Sequence, residues 1–179
     1  MESTTAMTDD LRFPIGKFDP TSVSPAQRAA NIEAIRSLPE KIEAAINGLT
    51  ESQLDTPYRP DGWSVRQTVH HVADSHINSF CRFKLALTED VPTIRPYFEE
   101  RWAELADSAL PIDSSLAIIR GVHFRLSVLL DSMTDEDFAR RLIHPDSGEF
   151  PIETLLALYA WHGGHHVAHI TELRRRNGW

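Results

Sequence analysis

The run from Ser64 to Leu87, SVRQTVHHVADSHINSFCRFKLAL, contains neither proline nor glycine and repeats apolar residues at helical intervals, so it commits the chain to a long helix. Val65, Val69, Val72, His76, Phe80, Phe83 and Leu87 form its apolar stripe, and Ser64 is placed to cap its start. A second stripe, Thr68, His71, Ser75, Asn78 and Arg82, is polar but built of small neutral residues instead of Lys and Glu. The plain reading of a polar stripe is a solvated face. This composition also suits the wall of a wet pocket, with His71 in its middle.

The rest of the chain divides around that element. Residues 1–23, with Pro14, Gly16 and Pro20, read as an extended N-terminal arm that packs on the body through Phe13, Ile15 and Phe18. Ser24-Pro25 opens a helix that runs through Ile32, Ile35 and Ile42 to Ile46, and Pro39 either kinks it or forces a restart after Ser37. Thr50 to Leu54 is a short turn of helix. Residues 88–112 form a long connection with Pro92, Pro96 and Pro111, broken by a short helix over Phe98 to Ala106; a connection of that length is more often functional or packed than idle. Asp113-Ser114 begins a third long helix, whose His123 lies on the apolar side and reads as a satisfied core histidine. Residues 143–150 read as a loop, and Pro151 as the first residue of the final helix. Four long proline-poor helices without alternating strand runs predict an all-α four-helix bundle, with short extra helices in its connections and a single domain over residues 1–179.

Charge and cysteine content narrow the function classes. Eighteen basic against 26 acidic residues give a net charge of -8, and the basic cluster Arg174, Arg175, Arg176 sits where cations complement a helix C-terminus. Nucleic acid is therefore excluded as a partner. A single cysteine, Cys81, excludes an internal disulfide and reads as core beside Phe80 and Phe83. No secretory leader and no apolar window of membrane-spanning length is present, so a soluble cytoplasmic protein without a membrane partner is expected.

The chemistry concentrates in the final helix, where YAWHGGHHVAH carries four histidines. Residues four apart on a helix can aim at one point, so His162 and His166 can supply two ligands of a metal site; His165 and His169 share the spacing, and periodicity does not choose between the pairs. A third imidazole from the second long helix would complete an open catalytic-type site, with His70, His71 and His76 as candidates. Gly163 and Gly164 each cost about 1 kcal/mol relative to alanine inside a helix, which signals either room left for something or close approach of a neighbour. The first histidine is followed by glycine, not glutamate, so zincin-type hydrolysis needs a base from elsewhere, such as Asp74 or Glu153. Trp63, Trp102 and Trp161 could line an apolar pocket, though core packing is the plainer role for each. Arg82 and Arg95 could meet an anionic substrate, with surface salt bridges as the plainer alternative.

Four stretches, FPIGKFDP, QLDTPYRPDGWSVRQTVHHVADSH, RFKLALTEDVPTIRPY and YAWHGGHHVAHITELRRRNGW, follow one another over nearly the whole chain. In their order and spacing the sequence resembles the DinB-like superfamily, and within it the YfiT-type branch of metal-dependent hydrolases. The resemblance implies an up-down-down-up bundle in which three histidines hold one divalent metal per chain, zinc or nickel. Carried over, the second histidine of the HH pair is His71, and the tryptophan-flanked HxxxH pair is His162 and His166. Gly163 and Gly164 depart from the more polar family pattern and put the pocket lining in doubt. The implied activity is hydrolysis through a metal-activated water, and no catalytic residue is singled out beyond the ligands. The superfamily also contains metal-dependent S-transferases for low-molecular-weight thiols such as bacillithiol, which is the alternative reading. A non-catalytic metal-binding protein is a third. A small-molecule substrate and a homodimer complete the expectation.

Overall fold

In the computed structural model, which describes residues 11–179, the first long element is two helices, α1 (Arg28–Arg36) and α2 (Leu38–Ile46). Pro39 separates them, because it has no N–H to give to the carbonyl of Ile35 four residues back, and the helix restarts after Ser37. A single turn, α3 (Glu51–Leu54), leads to α4 (Val65–Thr88). Its start is a capping box: the Ser64 hydroxyl accepts the Gln67 N–H at 3.1 Å, and the Gln67 side chain accepts the Ser64 N–H at 3.0 Å. The following connection holds α5 (Glu99–Trp102) and a 3-10 turn at Ala106–Ala109, so the helix expected over Phe98 to Ala106 is shorter than its sequence suggests. Then come α6 (Asp113–Asp131), the short α7 (Asp135–Ala139), strands β1 (Arg141–His144) and β2 (Gly148–Pro151), and α8 (Ile152–Asn177). Pro151 is the N-cap of α8, and Gly178 ends it in the left-handed conformation at φ 69°.

The hairpin β1–β2 corrects the expected loop. Leu142 pairs with Phe150 and His144 with Gly148, and Gly148 takes φ 77° where the three-residue turn needs a positive angle. Ile94 N–H to Ile143 C=O and Ile143 N–H to Pro92 C=O, each 2.9 Å, tie the other edge of β1 to the connection after α4. Four-residue strands carry too little alternation to register against the helical pattern around them.

Side-chain pairs fix the direction of each helix. Arg28 meets Glu153 and Arg174 meets the Ala45 carbonyl, so the α1–α2 element and α8 run parallel. Arg36 with Asp131 and Arg120 with Glu43 set α6 antiparallel to them. His70 meets Ser115 and His76 meets His123, so α4 and α6 are parallel neighbours, whereas His71 with His166 and Arg82 with Tyr159 make α4 antiparallel to α8. The result is a four-helix bundle of up-down-down-up order. Parallel neighbours cannot be joined by a tight turn, which is why the connection between α4 and α6 must travel back along the bundle. Two apolar clusters fill the interior, one around Leu38, Ile42, Val69 and Ile119, the other around Ile35, Phe83, Leu126 and Leu155. Among the described residues no helix is long and apolar enough to cross a membrane.

The two glycines of α8 have different surroundings. A Cβ on Gly163 would lie 2.5 Å from Leu38 Cδ2, and Leu38 is buried at the start of α2, so the side chain has nowhere to go. A Cβ on Gly164 would meet only Ile15 at an ordinary 3.7 Å. Close approach of a neighbouring helix thus accounts for Gly163. Gly163→Ala should destabilise the fold by about 1–2 kcal/mol despite its better helix propensity, while Gly164→Ala should be neutral or stabilising by up to about 1 kcal/mol. Urea denaturation of the two variants measures both.

Candidate metal centre

Antiparallel packing of α4 on α8 puts His71 opposite the His162–His166 pair. One ring nitrogen of each of His71, His162 and His166 lies within 4.8 Å of the other two, and all three rings line a cavity of about 930 Å³. His71 Nε2 and His162 Nε2 are 3.2 Å apart. Trp63 covers the cluster from the loop before α4, its ring 4.5 Å from that of His71 and 6.3 Å from that of His166.

Three of the other histidines, His70, His76 and His123, are held by hydrogen bonds of their own, while His144, His165 and His169 line the same cavity. His70 has Ser115 Oγ 2.7 Å from Nδ1 and the Leu110 carbonyl 3.0 Å from Nε2, so both of its nitrogens are used. His76 is fully buried behind the cluster, with Nε2 3.2 Å from His162 Nδ1 and Nδ1 3.0 Å from His123 Nε2. His123 ends the chain of rings: its Nδ1 donates to the Ile35 carbonyl at 2.6 Å. It is a satisfied buried histidine, but its partner is a ring in contact with the cluster. Sequence periodicity placed His76 and His123 on apolar faces and gave no sign that they meet, because the parallel setting of α4 and α6 is not a local property.

His165 and His169 lie under the N-terminal arm, whose first ten residues are outside the described ones. His165 stacks on Trp161 at 4.5 Å and faces Phe13 at 5.9 Å. His169 donates from Nε2 to the Arg12 carbonyl at 3.1 Å and stacks on Tyr58 at 3.9 Å. Phe18 packs against Trp161, whose indole N–H donates to the Gly16 carbonyl, while Ile15 is half exposed.

Several expectations change. Trp63 and Trp161 line the cavity, while Trp102 is exposed and packs at a tilt against Tyr97. Cys81 is exposed, not core, because it lies on the outer side of α4 between Phe80 and the buried Arg82. Neither Asp74 nor Glu153 lines the cavity, and Glu153 is held by Arg28 at 2.6 Å at the start of α8. Of the polar stripe on α4, His71, Ser75 and Arg82 face the cavity, together with Gln67.

Residues 27–170 match the family model of the DinB superfamily. A Bacillus cereus (strain AH820) protein named "putative metal-dependent hydrolase" is 52% identical over 172 residues, covering 96% of this chain and 99% of that protein. A Bacillus anthracis (strain A0248) protein of the same name matches with the same identity and coverage. The solved structure of YfiT from Bacillus subtilis, described as a probable metal-dependent hydrolase with an unusual four-helix bundle topology, superposes with a TM-score of 0.91. It is 49% identical, and the match covers 95% of this chain and 99% of that one.

Burial sets the charge state of the cluster. Desolvation, reinforced by His165, lowers the pKa of His71 to about 4, and desolvation lowers that of His165 to about 4. His169 falls to about 3, by desolvation and then by His165. His162, His166 and His76 lie well below the usual imidazole value, desolvation first and neighbouring rings second. All are neutral at pH 7, so each ring carries one nitrogen lone pair; that of His76 is taken up by His162. The folded pKa values lie below the unfolded one of about 6.5, so the unfolded chain takes up protons first and stability falls as pH drops. Between about pH 6.5 and 5 each histidine held neutral should cost about 2 kcal/mol, or roughly 4–8 °C in Tm. Thermal unfolding of the metal-free protein across that window measures it, and a flat profile would contradict the burial of the cluster.

Proposed function

The chain belongs to the DinB superfamily, and from that premise we propose that it is a metal-dependent hydrolase whose divalent cation is held by His71, His162 and His166. The observation that carries the reading is the convergence of three neutral imidazoles on one cavity wall. The spacing fits: a tetrahedral site with metal–nitrogen bonds near 2.0–2.1 Å places neighbouring nitrogens about 3.4 Å apart, against 3.2 Å between His71 Nε2 and His162 Nε2. Imidazole donors suit zinc or nickel, not the oxygen-seeking magnesium or calcium. Such a cation, bound by neutral ligands alone, supplies Lewis acidity that polarises a substrate oxygen and lowers the pKa of water or of a thiol.

The chain's own residues prepare His162 for this role. A carbonyl only accepts, so His123 Nδ1 carries the proton given to Ile35 and its Nε2 is left as an acceptor. That acceptor takes the Nδ1 proton of His76, whose Nε2 in turn accepts from His162 Nδ1. The proton of His162 is thereby fixed on Nδ1, and its Nε2 lone pair faces His71. Outer-shell partners of this kind orient a ligand ring and raise its basicity. Trp63 shields the other side of the cluster from solvent.

A second reading is supported by what the cavity does not offer. Asp74 and Glu153 lie outside it, and the carboxylates that line it, Asp61, Glu99, Glu100, Glu104 and Asp146, are exposed to solvent, which favours a substrate that brings its own nucleophile, a low-molecular-weight thiol. Consumption of a small thiol with an electrophilic acceptor, set against ester or amide hydrolysis by the same metal-loaded protein, separates the two.

Elemental analysis of purified protein should find about one metal per chain. Replacing His71, His162 or His166 with alanine should abolish tight binding, and replacing His165 should leave it largely intact; equal losses at all four would overturn the ligand assignment. His123→Phe, which leaves every ligand in place, should weaken metal affinity about 10- to 100-fold in chelator competition.

A further inference from the structure

Two arginines are almost wholly buried, and their surroundings differ. Arg66, 7% exposed, has Glu51 at 2.6 Å and Asp55 at 2.7 Å. Arg82, 8% exposed, has no carboxylate partner among the described residues; Nη1 donates to the Tyr159 hydroxyl at 2.7 Å and Nη2 to the Arg95 carbonyl at 3.3 Å. Both acceptors are neutral, and they use two of the five N–H groups a guanidinium offers. A desolvated cation with only neutral partners is incompletely compensated. It is also not where a surface salt bridge would be.

Arg82 lines the same cavity as the imidazole cluster and stands on the same stripe of α4 as His71 and Ser75. Ser75 Oγ is 3.5 Å from His162 Nε2, and Tyr159, the partner of Arg82, has its ring 5.8 Å from that of His162. Arg82, Tyr159 and Ser75 thus form a continuous polar wall leading to the three imidazoles. Burial raises the pKa of both Tyr159 and Tyr97, so each phenol keeps its proton at neutral pH and can donate to an anion. The acidic groups that face the cavity stand in water. Asp146, with its side chain 77% exposed, lies 3.9 Å from His144; Glu99, Glu100 and Glu104 are exposed on the connection after α4, and Asp61 is exposed on the loop before it. None of them neutralises Arg82.

We propose that the cavity contains an oxyanion subsite centred on Arg82, which takes a carboxylate or phosphate group of the substrate while the reacting end reaches His71, His162 and His166. The proposal rests on the metal reading of that cluster for the second half of the statement only. A substrate with this group would be held at two points, its charge on Arg82 and its reacting atom at the imidazoles, which sets both orientation and length.

The test uses glutarate and its monoamide, glutaramate, which match in length and differ by one charge, on protein loaded with cobalt(II). Glutarate should perturb the cobalt spectrum with an affinity roughly tenfold or more above that of glutaramate. Arg82→Gln should bring the two within about twofold at unchanged cobalt stoichiometry, and Arg82→Lys should retain part of the preference. No preference in the wild type, or one that survives Arg82→Gln, overturns the subsite. In metal-free protein, acetate and inorganic phosphate should shift the Arg82 Nε–H NMR signal, identified by its loss in Arg82→Gln, while acetamide should not; the two anions also show which oxyanion is preferred. Failure to take up cobalt would sink the metal reading alone, and the NMR result then decides the subsite, with no shift by either anion overturning it.

Discussion

Pro39 has no N–H, and the carbonyl it leaves without a helical donor, that of Ile35, is the acceptor on which the imidazole chain ends. A buried carbonyl without a partner is costly, and so is a buried imidazole N–H; the 2.6 Å contact from His123 removes both costs at once. Everything upstream then has a direction. His76 must give its Nδ1 proton to His123, and His162 must give its own to His76, so a break in the first long helix decides which nitrogen of a ring in the neighbouring helix is bare. A proton assignment at the cluster is thus made by backbone geometry two side chains away.

The same contact depends on α4 and α6 running side by side in one direction. Antiparallel packing would carry His123 away from His76, and the long return after α4 would be unnecessary. That return supplies Tyr97, and through the Arg95 carbonyl it holds Arg82 in place. Chain order, the relay of rings and the shape of the cavity are consequences of one topological choice.

The long helices were legible because their signals are local: the capping residue Ser64 and the break at Pro39 each act within a few residues. Close approach at Gly163 was one of two readings of a helix-interior glycine, and Leu38 decides it. The hairpin was not legible, since strands of four residues give no clear period and their pairing depends partly on residues 92–94. At the site, a spacing of four marked two pairs of histidines and could not rank them. The convergence of His71 with His162 and His166, and the contact of His169 with the Arg12 carbonyl, join residues 91 and 157 positions apart in the chain, which a local period does not register. Burial of Arg82 was hidden for the same reason, because a polar stripe reads the same whether it faces water or a cavity.

The cavity draws its residues from two kinds of segment. His71, His162 and His166 project from helices whose positions are fixed by the packed interior, whereas Tyr97, Glu99, His144 and Asp146 come from the return after α4 and from the hairpin. Loops accept insertion and replacement more readily than a bundle core does. The lining of the cavity can therefore drift in this architecture while the cluster stays where it is, so that descendants of one such chain would share the three imidazoles and differ in what surrounds them.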